Sequence, residues 1–268
     1  HEYLGLSAGL DFETKLFAKP EAPDRLRTEL AKPRYRCKPI AMGTNTDPYQ
    51  PIEKTWKITR AILEVLSECH HPVGIVTKSH LIVRDADILG SMAERGLAAA
   101  HLSITTLDRG LARMMEPRAA TPGRRLDAIR RLADAGVPVG VMVAPVIPGL
   151  NDPEIEAILE ASAQAGATSA AMTIIRLPYG VKDLFADWLT EHMPDRRDKV
   201  LSLIRDVRGG AETSSKFFER QSGSGPVAAM IEQRFKAACR RSNLNRTRMG
   251  LDTSQFLPPD TSGQLGLF

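Results

Sequence analysis

The chain has 268 residues, 43% of them hydrophobic and 25% charged, with a formal net charge of +4. That balance describes an ordinary soluble globular protein with enough apolar residues to bury a core, and its longest apolar runs, such as VGVMVAPVI, are too short to span a bilayer. The three cysteines, Cys37, Cys69 and Cys239, lie far apart, which argues for reduced thiols in the cytoplasm and against a disulfide framework.

No secretory leader pattern opens the chain, and its start at HEYLG rather than Met points to a processed product or to a fragment. After a short helical stretch at Asp24–Ala31, the segment PIAMG reads as a strand and Ile52–Glu68 as an amphipathic helix. PVGIVTKS is the next strand, followed by a helix over Asp85–Arg95. AAHLSITT is the third strand, and the helix GRRLDAIRRLADAG comes after a loop. PVGVMVAPV is the fourth, followed by DPEIEAILEASAQAG; TSAAMTIIRL is the fifth, followed by a helix from Val181 through Val207. Five strand–helix units, with strands that read as apolar on both faces, predict an α/β fold with a parallel sheet covered by helices. Gly136 and Gly166 fall just past helices, where a left-handed residue is wanted. Asn151 in NDPE stands where a helix cap is expected.

The period ends near Gly209. We divide the chain there into 1–209, a βα unit, and 210–268, an extension with a flexible GSGP joint, a basic amphipathic helix and a Pro/Gly-rich tail. Residues 211–250 carry eight Lys/Arg against three Asp/Glu, so this extension holds the surplus positive charge. Such a tail either touches phosphate or is simply solvated.

Chemistry in parallel α/β folds collects at the carboxyl ends of strands, and here those ends are polar. The first finishes in Thr44, Asn45, Thr46 and Asp47, the second in Thr77, Lys78 and Ser79, the third in Ser103 to Thr106, and the fifth in Arg176 and Tyr179. The fourth, APVIPG, is apolar and contains Pro145, a surface suited to a flat ring. Each residue also has a plain structural reading. Thr46 and Asp47 before Pro48 fit an Asx turn, Ser103 and Thr105 fit core hydroxyls bonded to backbone, and Glu116 with Arg118 fits a salt-bridged loop. His70, His71 and His101 match no metal spacing, and no phosphate-binding glycine loop or serine elbow is present.

The segments GTNTDPYQPIEKTWKITRAILEVL, PVGIVTKSHLIVRDADIL, LSITTLD, MEPRAATPGRRLDAIRRLADAGVPVGVMVAPVIPGLND and LDTSQFLPP, in this order, resemble the spore photoproduct lyase-like branch of the radical S-adenosylmethionine superfamily. The resemblance implies a partial (βα)6 barrel, a [4Fe–4S] cluster with S-adenosylmethionine on its open iron, and reductive cleavage to a 5′-deoxyadenosyl radical. It also implies an electron donor such as flavodoxin or ferredoxin, and more weakly a DNA or RNA substrate. By position it assigns Thr44–Asp47 to the methionyl amine, Ser103 and Thr105 to a ribose or carboxylate contact, Lys78, Ser79 and Arg118 to the methionyl carboxylate, and Pro145 with its neighbours to the adenine. The chain departs from the family in lacking the CxxxCxxC loop that ligates the cluster. The expectation is therefore a C-terminal fragment without its first barrel strand, holding no cluster, inactive by itself, and exposing the edge that strand would cover. Two readings without a cluster compete with it. One is a lyase or isomerase using Lys78 as Schiff base and Asp47 as acid–base; the other is a nucleic-acid module built on the basic helix Ile231–Leu244, with Arg240 and Arg241 on phosphate.

Overall fold

A computed structural model describes residues 5, 11, 14–178, 180–208, 223–247 and 250–260. After helix α1 (Ala22–Leu30), strand β1 (Ile40–Met42) leads to α2 (Glu53–Trp56) and α3 (Ile58–Glu68). Strand β2 (Val73–Thr77) is followed by a 3-10 turn at His80–Asp85 and by α4 (Ala86–Ala93). β3 (Ala98–Ser103) leads to α5 (Arg109–Met115) and α6 (Pro122–Asp134), and β4 (Val139–Val146) to α7 (Ile155–Gln164). β5 (Ser169–Ile174) precedes α8 (Val181–His192) and α9 (Arg197–Asp206), and α10 (Gly225–Arg241) closes the series. The strands form one sheet in the order β1-β2-β3-β4-β5, parallel throughout.

Alternation along the strands separates two unlike faces. One carries Val73, Ile75, Ala100, Leu102, Val139, Val141, Val143 and Ile174, all in the main core beneath the helices. The other carries Gly74, Val76, Ala99, His101, Ser103, Gly140, Met142, Ser169 and Ala171, brought into line by the register of neighbouring strands. The helix-covered face is aliphatic as expected. The opposite face is not a second aliphatic layer: most of its residues are small or polar, and Ser103 and Met142 on it reach a cavity at the carboxyl ends of the strands. Over Gly140 the His101 and Ser169 side chains take up the space, since a Cβ there would meet His101 Cδ2 at 2.5 Å and Ser169 Oγ at 2.3 Å.

Several helices are shorter than the sequence period predicts. The stretch expected as one helix from Ile52 to Glu68 breaks at Lys57, whose φ is +50°. The break lets buried Glu53 fold back, so that its Oε1 accepts from Thr59 N at 3.0 Å and satisfies an orphan amide in the first turn of α3. The predicted helix from Val181 to Val207 is interrupted around Pro194, which occupies a 3-10 turn between α8 and α9. Gly136 and Gly166 do stand at positive φ, +77° and +105°, past α6 and α7. Val137 N bonds Leu132 O and Ala167 N bonds Ser162 O, closing both helix ends in Schellman fashion. Asn151, expected as a cap, makes no side-chain cap bond.

The extension is docked on the barrel unit where it is described. α10 buries Ala228, Ile231, Phe235 and Ala238, and its Arg234 reaches Glu156 and Asp152 on the α7 side. Residues 250–260 run along the amino-terminal ends of the strands. Asp252 N bonds Gly96 O, Leu257 N bonds Cys69 O, and the Phe256 ring lies 5.4 Å from those of both Tyr35 and His71. His71 is fully buried and bonded to the Tyr35 hydroxyl at 2.7 Å, a packing role. A second apolar cluster, built on Leu111, Ile147, Leu150, Ile175, Leu189 and Ile204, buttresses the β4 and β5 loops from α5, α8 and α9.

Candidate cofactor-binding site

At the carboxyl ends of the strands lies a cavity of about 370 Å³, lined among others by Gly43, Asp47, Lys78, Ser103, Pro145 and Arg176. Its size falls in the range of ~300–1,000 Å³ usual for small-molecule sites. All five strands contribute to it, directly or through the loop that follows.

The β1 loop is fastened to β2 by one side chain. Asp47 Oδ1 accepts from Tyr49 N at 2.9 Å and from the Thr77 hydroxyl at 2.6 Å. Its Oδ2 accepts from Lys78 N at 2.8 Å. The bond to Tyr49 N is the Asx turn legible in the sequence; the bonds to β2 make that turn a wall of the cavity as well. The loop can begin only because residue 43 is glycine. Gly43 has φ +88°, and a Cβ there would stand 1.9 Å from Val76 O. Thr44, Asn45 and Thr46 are exposed on the loop, and the cavity wall in this segment is formed by Gly43 and Asp47.

Ser79 serves locally: its hydroxyl accepts from Leu81 N at 3.2 Å and caps the 3-10 turn. Ser103 both lines the cavity and donates to Ala144 O at 3.0 Å, so its two readings are compatible. Thr105 is buried, its hydroxyl 3.0 Å from Glu116 Oε1 and 3.1 Å from Ala144 O. Pro145 stands on the cavity beside Ala144. Two consecutive residues share one face because the β4–β5 register slips between Val143 and Val146; a bulge re-aims side chains in this way and tolerates a proline without an N–H. Arg118 is exposed on the loop between α5 and α6 and is not among the lining residues. Arg176 is, and Tyr179 lies outside the described residues.

Three residues that sequence reasoning passed over, or read as structural, hold the site together. Glu116 accepts from the Lys78 ammonium and from Arg125 Nη2 at 2.5 Å. Arg125 is only 2% exposed; its Nε and Nη1 donate to Ala120 O and Ser103 O. Burial pushes the Glu116 carboxyl upward, but the charges and hydrogen bonds of Lys78 and Arg125 outweigh burial and hold it below the usual glutamate range. Asn151 is the third. Its amide donates to Thr105 O at 2.7 Å and Pro145 O at 2.9 Å, and its oxygen accepts from Ile147 N, pinning the ends of β3 and β4. The signals were present in EPR, RR and ND, but all three residue types are common in loops.

Chemically, Asp47 and Lys78 both line the cavity, together with an apolar panel of Met142, Ala144, Pro145 and Ile175; Asp47 holds the Lys78 backbone amide while the Lys78 ammonium bonds Glu116. That donor set complements a zwitterionic amino-acid group joined to a flat heterocycle, so the residues fit S-adenosylmethionine. They do not fit an iron–sulfur cluster. Cys37 is half-buried ahead of β1, Cys69 and Cys239 are buried after α3 and within α10, and burial pushes all three thiols up. Among the described residues no group of three His, Cys, Asp or Glu could hold a metal ion, and no helix is long and apolar enough to cross a membrane.

Comparison with known proteins points the same way. The Radical SAM superfamily profile matches residues 13–161, more than half of the chain. The uncharacterized protein Rv2578c of Mycobacterium tuberculosis is 33% identical over 207 residues, which cover 76% of this chain and 61% of that protein. The uncharacterized protein MJ0683 of Methanocaldococcus jannaschii is 30% identical over 136 residues, 51% of this chain and 49% of that protein. The chain thus spans about three fifths, or less, of the length of these relatives. Two variant structures of spore photoproduct lyase superpose with TM-scores of 0.55 and 0.53 at 15% identity. Each covers 82% of this chain, and 62% and 63% of the respective lyase chain. At that identity the likeness establishes the fold.

Proposed function

The chain belongs to the radical SAM superfamily, whose members use S-adenosylmethionine with an iron–sulfur cluster, and on that premise we propose that the cavity at the strand ends binds S-adenosylmethionine for a radical enzyme. The observation that carries the reading is the pairing of Asp47 and Lys78 on one wall with the Ala144–Pro145 bulge on another. Bound beside an iron–sulfur cluster, S-adenosylmethionine would supply radical chemistry. The work of this chain is to bind and orient it. Asp47 presents negative charge to the α-ammonium, Lys78 presents positive charge to the α-carboxylate, and Ser103 offers a hydroxyl at the cavity wall. Pro145 and Ile175 give the adenine an apolar surface. The buttress of α5, α8 and α9 behind the β4 and β5 loops keeps that surface fixed.

Reductive cleavage would require an iron–sulfur cluster, for which Cys37, Cys69 and Cys239 form no ligand set among the described residues. As the substrate we propose a nucleic acid; Arg240 and Arg241, exposed on α10 near the amino-terminal end of β5 where Asn245 bonds Thr168 and Ala170, would hold its backbone away from the cavity. Salt titration of oligonucleotide binding checks that part, with a slope that falls when both arginines are replaced by Gln. Isothermal titration of the chain with S-adenosylmethionine checks the cofactor reading. Saturable one-site binding that Lys78→Met weakens is expected; absence of binding, or binding indifferent to Asp47→Asn and Lys78→Met, overturns it.

A further inference from the structure

Glu116 is a largely buried carboxylate that does not itself line the cavity, yet it touches the ammonium of Lys78, the one lysine among the described lining residues. Its side chain is 12% exposed, whereas that of Lys78 is 36% exposed. Behind it stand Arg125, itself held by two backbone carbonyls, and the Thr105 hydroxyl. This chain of contacts runs from the end of β3 and the first turns of α6 to the end of β2, so the position of the Lys78 head is set by the rigid sheet. Formal charges add a second point. Two cations surround one carboxylate, which leaves the cluster at +1, and its only side facing the cavity is Lys78. An ammonium has three donors. One goes to Glu116, leaving two for a ligand.

We infer that Glu116 is a positioning residue: it holds the Lys78 ammonium over the cavity so that Lys78 reads the carboxylate of the bound S-adenosylmethionine, with Arg125 and Thr105 holding Glu116 in turn. The inference rests on the cofactor reading above and deepens it by naming what gives the site its preference for a carboxylate-bearing ligand. Glu116 needs to meet neither ligand nor reacting atoms. Its effect passes through Lys78 alone.

The test compares two ligands on the full chain by isothermal titration: S-adenosylmethionine, which has the carboxylate, and 5′-methylthioadenosine, which lacks the aminobutyrate group. Glu116→Gln is expected to weaken the first by roughly ten- to hundredfold, the span of a hydrogen bond to a charged group. Binding of methylthioadenosine should not change. In a Lys78→Met background Glu116→Gln should add no further loss, since contacts acting through one another are non-additive. Equal weakening of both ligands, no change in either, or full additivity overturns the inference. Should Glu116→Gln fail to fold because Arg125 is left unpaired, Thr105→Val removes one donor to Glu116 and must shift the same ratio in the same direction; an unchanged ratio overturns the inference. A wild-type chain that binds neither ligand defeats the cofactor reading and this inference with it. A wild type that binds, with an unmoved ratio in the variants, defeats the inference alone.

Discussion

Replacing Asp47 by Asn changes one atom of the side chain and keeps its shape. The carboxylate takes three hydrogen bonds, from Tyr49 N and Thr77 Oγ1 on one oxygen and from Lys78 N on the other. With its amide oxygen kept on the first side, asparagine turns an NH2 toward the Lys78 amide, and two donors meet at 2.8 Å. The flipped amide fares worse, because Tyr49 N then faces a donor. The Thr77 hydroxyl would have to turn and accept as well, while it already accepts from Ser79 N at 2.9 Å. One charge-assisted bond is lost in either case, a cost of about 1.5–3 kcal/mol where the group is buried. Partial exposure of Asp47 moves the figure to about 1.5 kcal/mol, or about 3–6 °C in Tm for a chain of this size. Thermal unfolding by circular dichroism reads the shift, and titration with S-adenosylmethionine reads a fall in affinity as the negative charge is lost. A variant that melts with the wild type would refute the claim that Asp47 fastens the β1 loop to β2. A stability loss with unchanged affinity would keep the fastening and remove the ligand role.

Gly43→Ala should cost at least about 2 kcal/mol, since positive φ alone costs a residue with a Cβ about 1–2 kcal/mol. The new Cβ also meets a backbone oxygen at 1.9 Å that cannot turn away; urea midpoints within error of wild type would contradict this. Glu116 has a depressed carboxyl pKa, so its contribution to stability is full above the unfolded value of about 4.3 and is lost as pH falls through the lower folded value. Acid titration of Glu116→Gln should therefore show a shallower loss than the wild type, and an identical acid limb counts against the Lys78–Glu116–Arg125 cluster. Anaerobic iron and sulfide reconstitution of this chain alone should give no iron–sulfur absorption, given where the three cysteines sit; a stable chromophore would mean that the chain does assemble a ligand set around iron. Borohydride with candidate carbonyl substrates should trap no adduct on Lys78, whose Nζ is bonded to Glu116, and a trapped lysine would favour the Schiff-base alternative.

The order of strands and helices was legible because aliphatic strands alternate with helix-period segments, most strands end in polar residues, and Gly136 and Gly166 mark two helix ends. So was the presence of a cavity at the strand ends, since polar residues at successive strand ends of a parallel sheet have few other reasons to recur. Asp47, Lys78, Ser103 and Pro145 were named from that pattern and line one cavity, while Ser79 turned inward to cap its own turn. What one-dimensional reading could not supply was which distant groups meet. Glu116 reaches Lys78 across 38 positions and Arg125 across nine; Asn151 joins the ends of β3 and β4. Period and propensity are set by neighbours in sequence, so sequence alone determines them. Pairing of charges, the bulge that turns Pro145 onto the cavity, and the meeting of His101 and Ser169 over Gly140 depend on strand register, and only the folded sheet decides that.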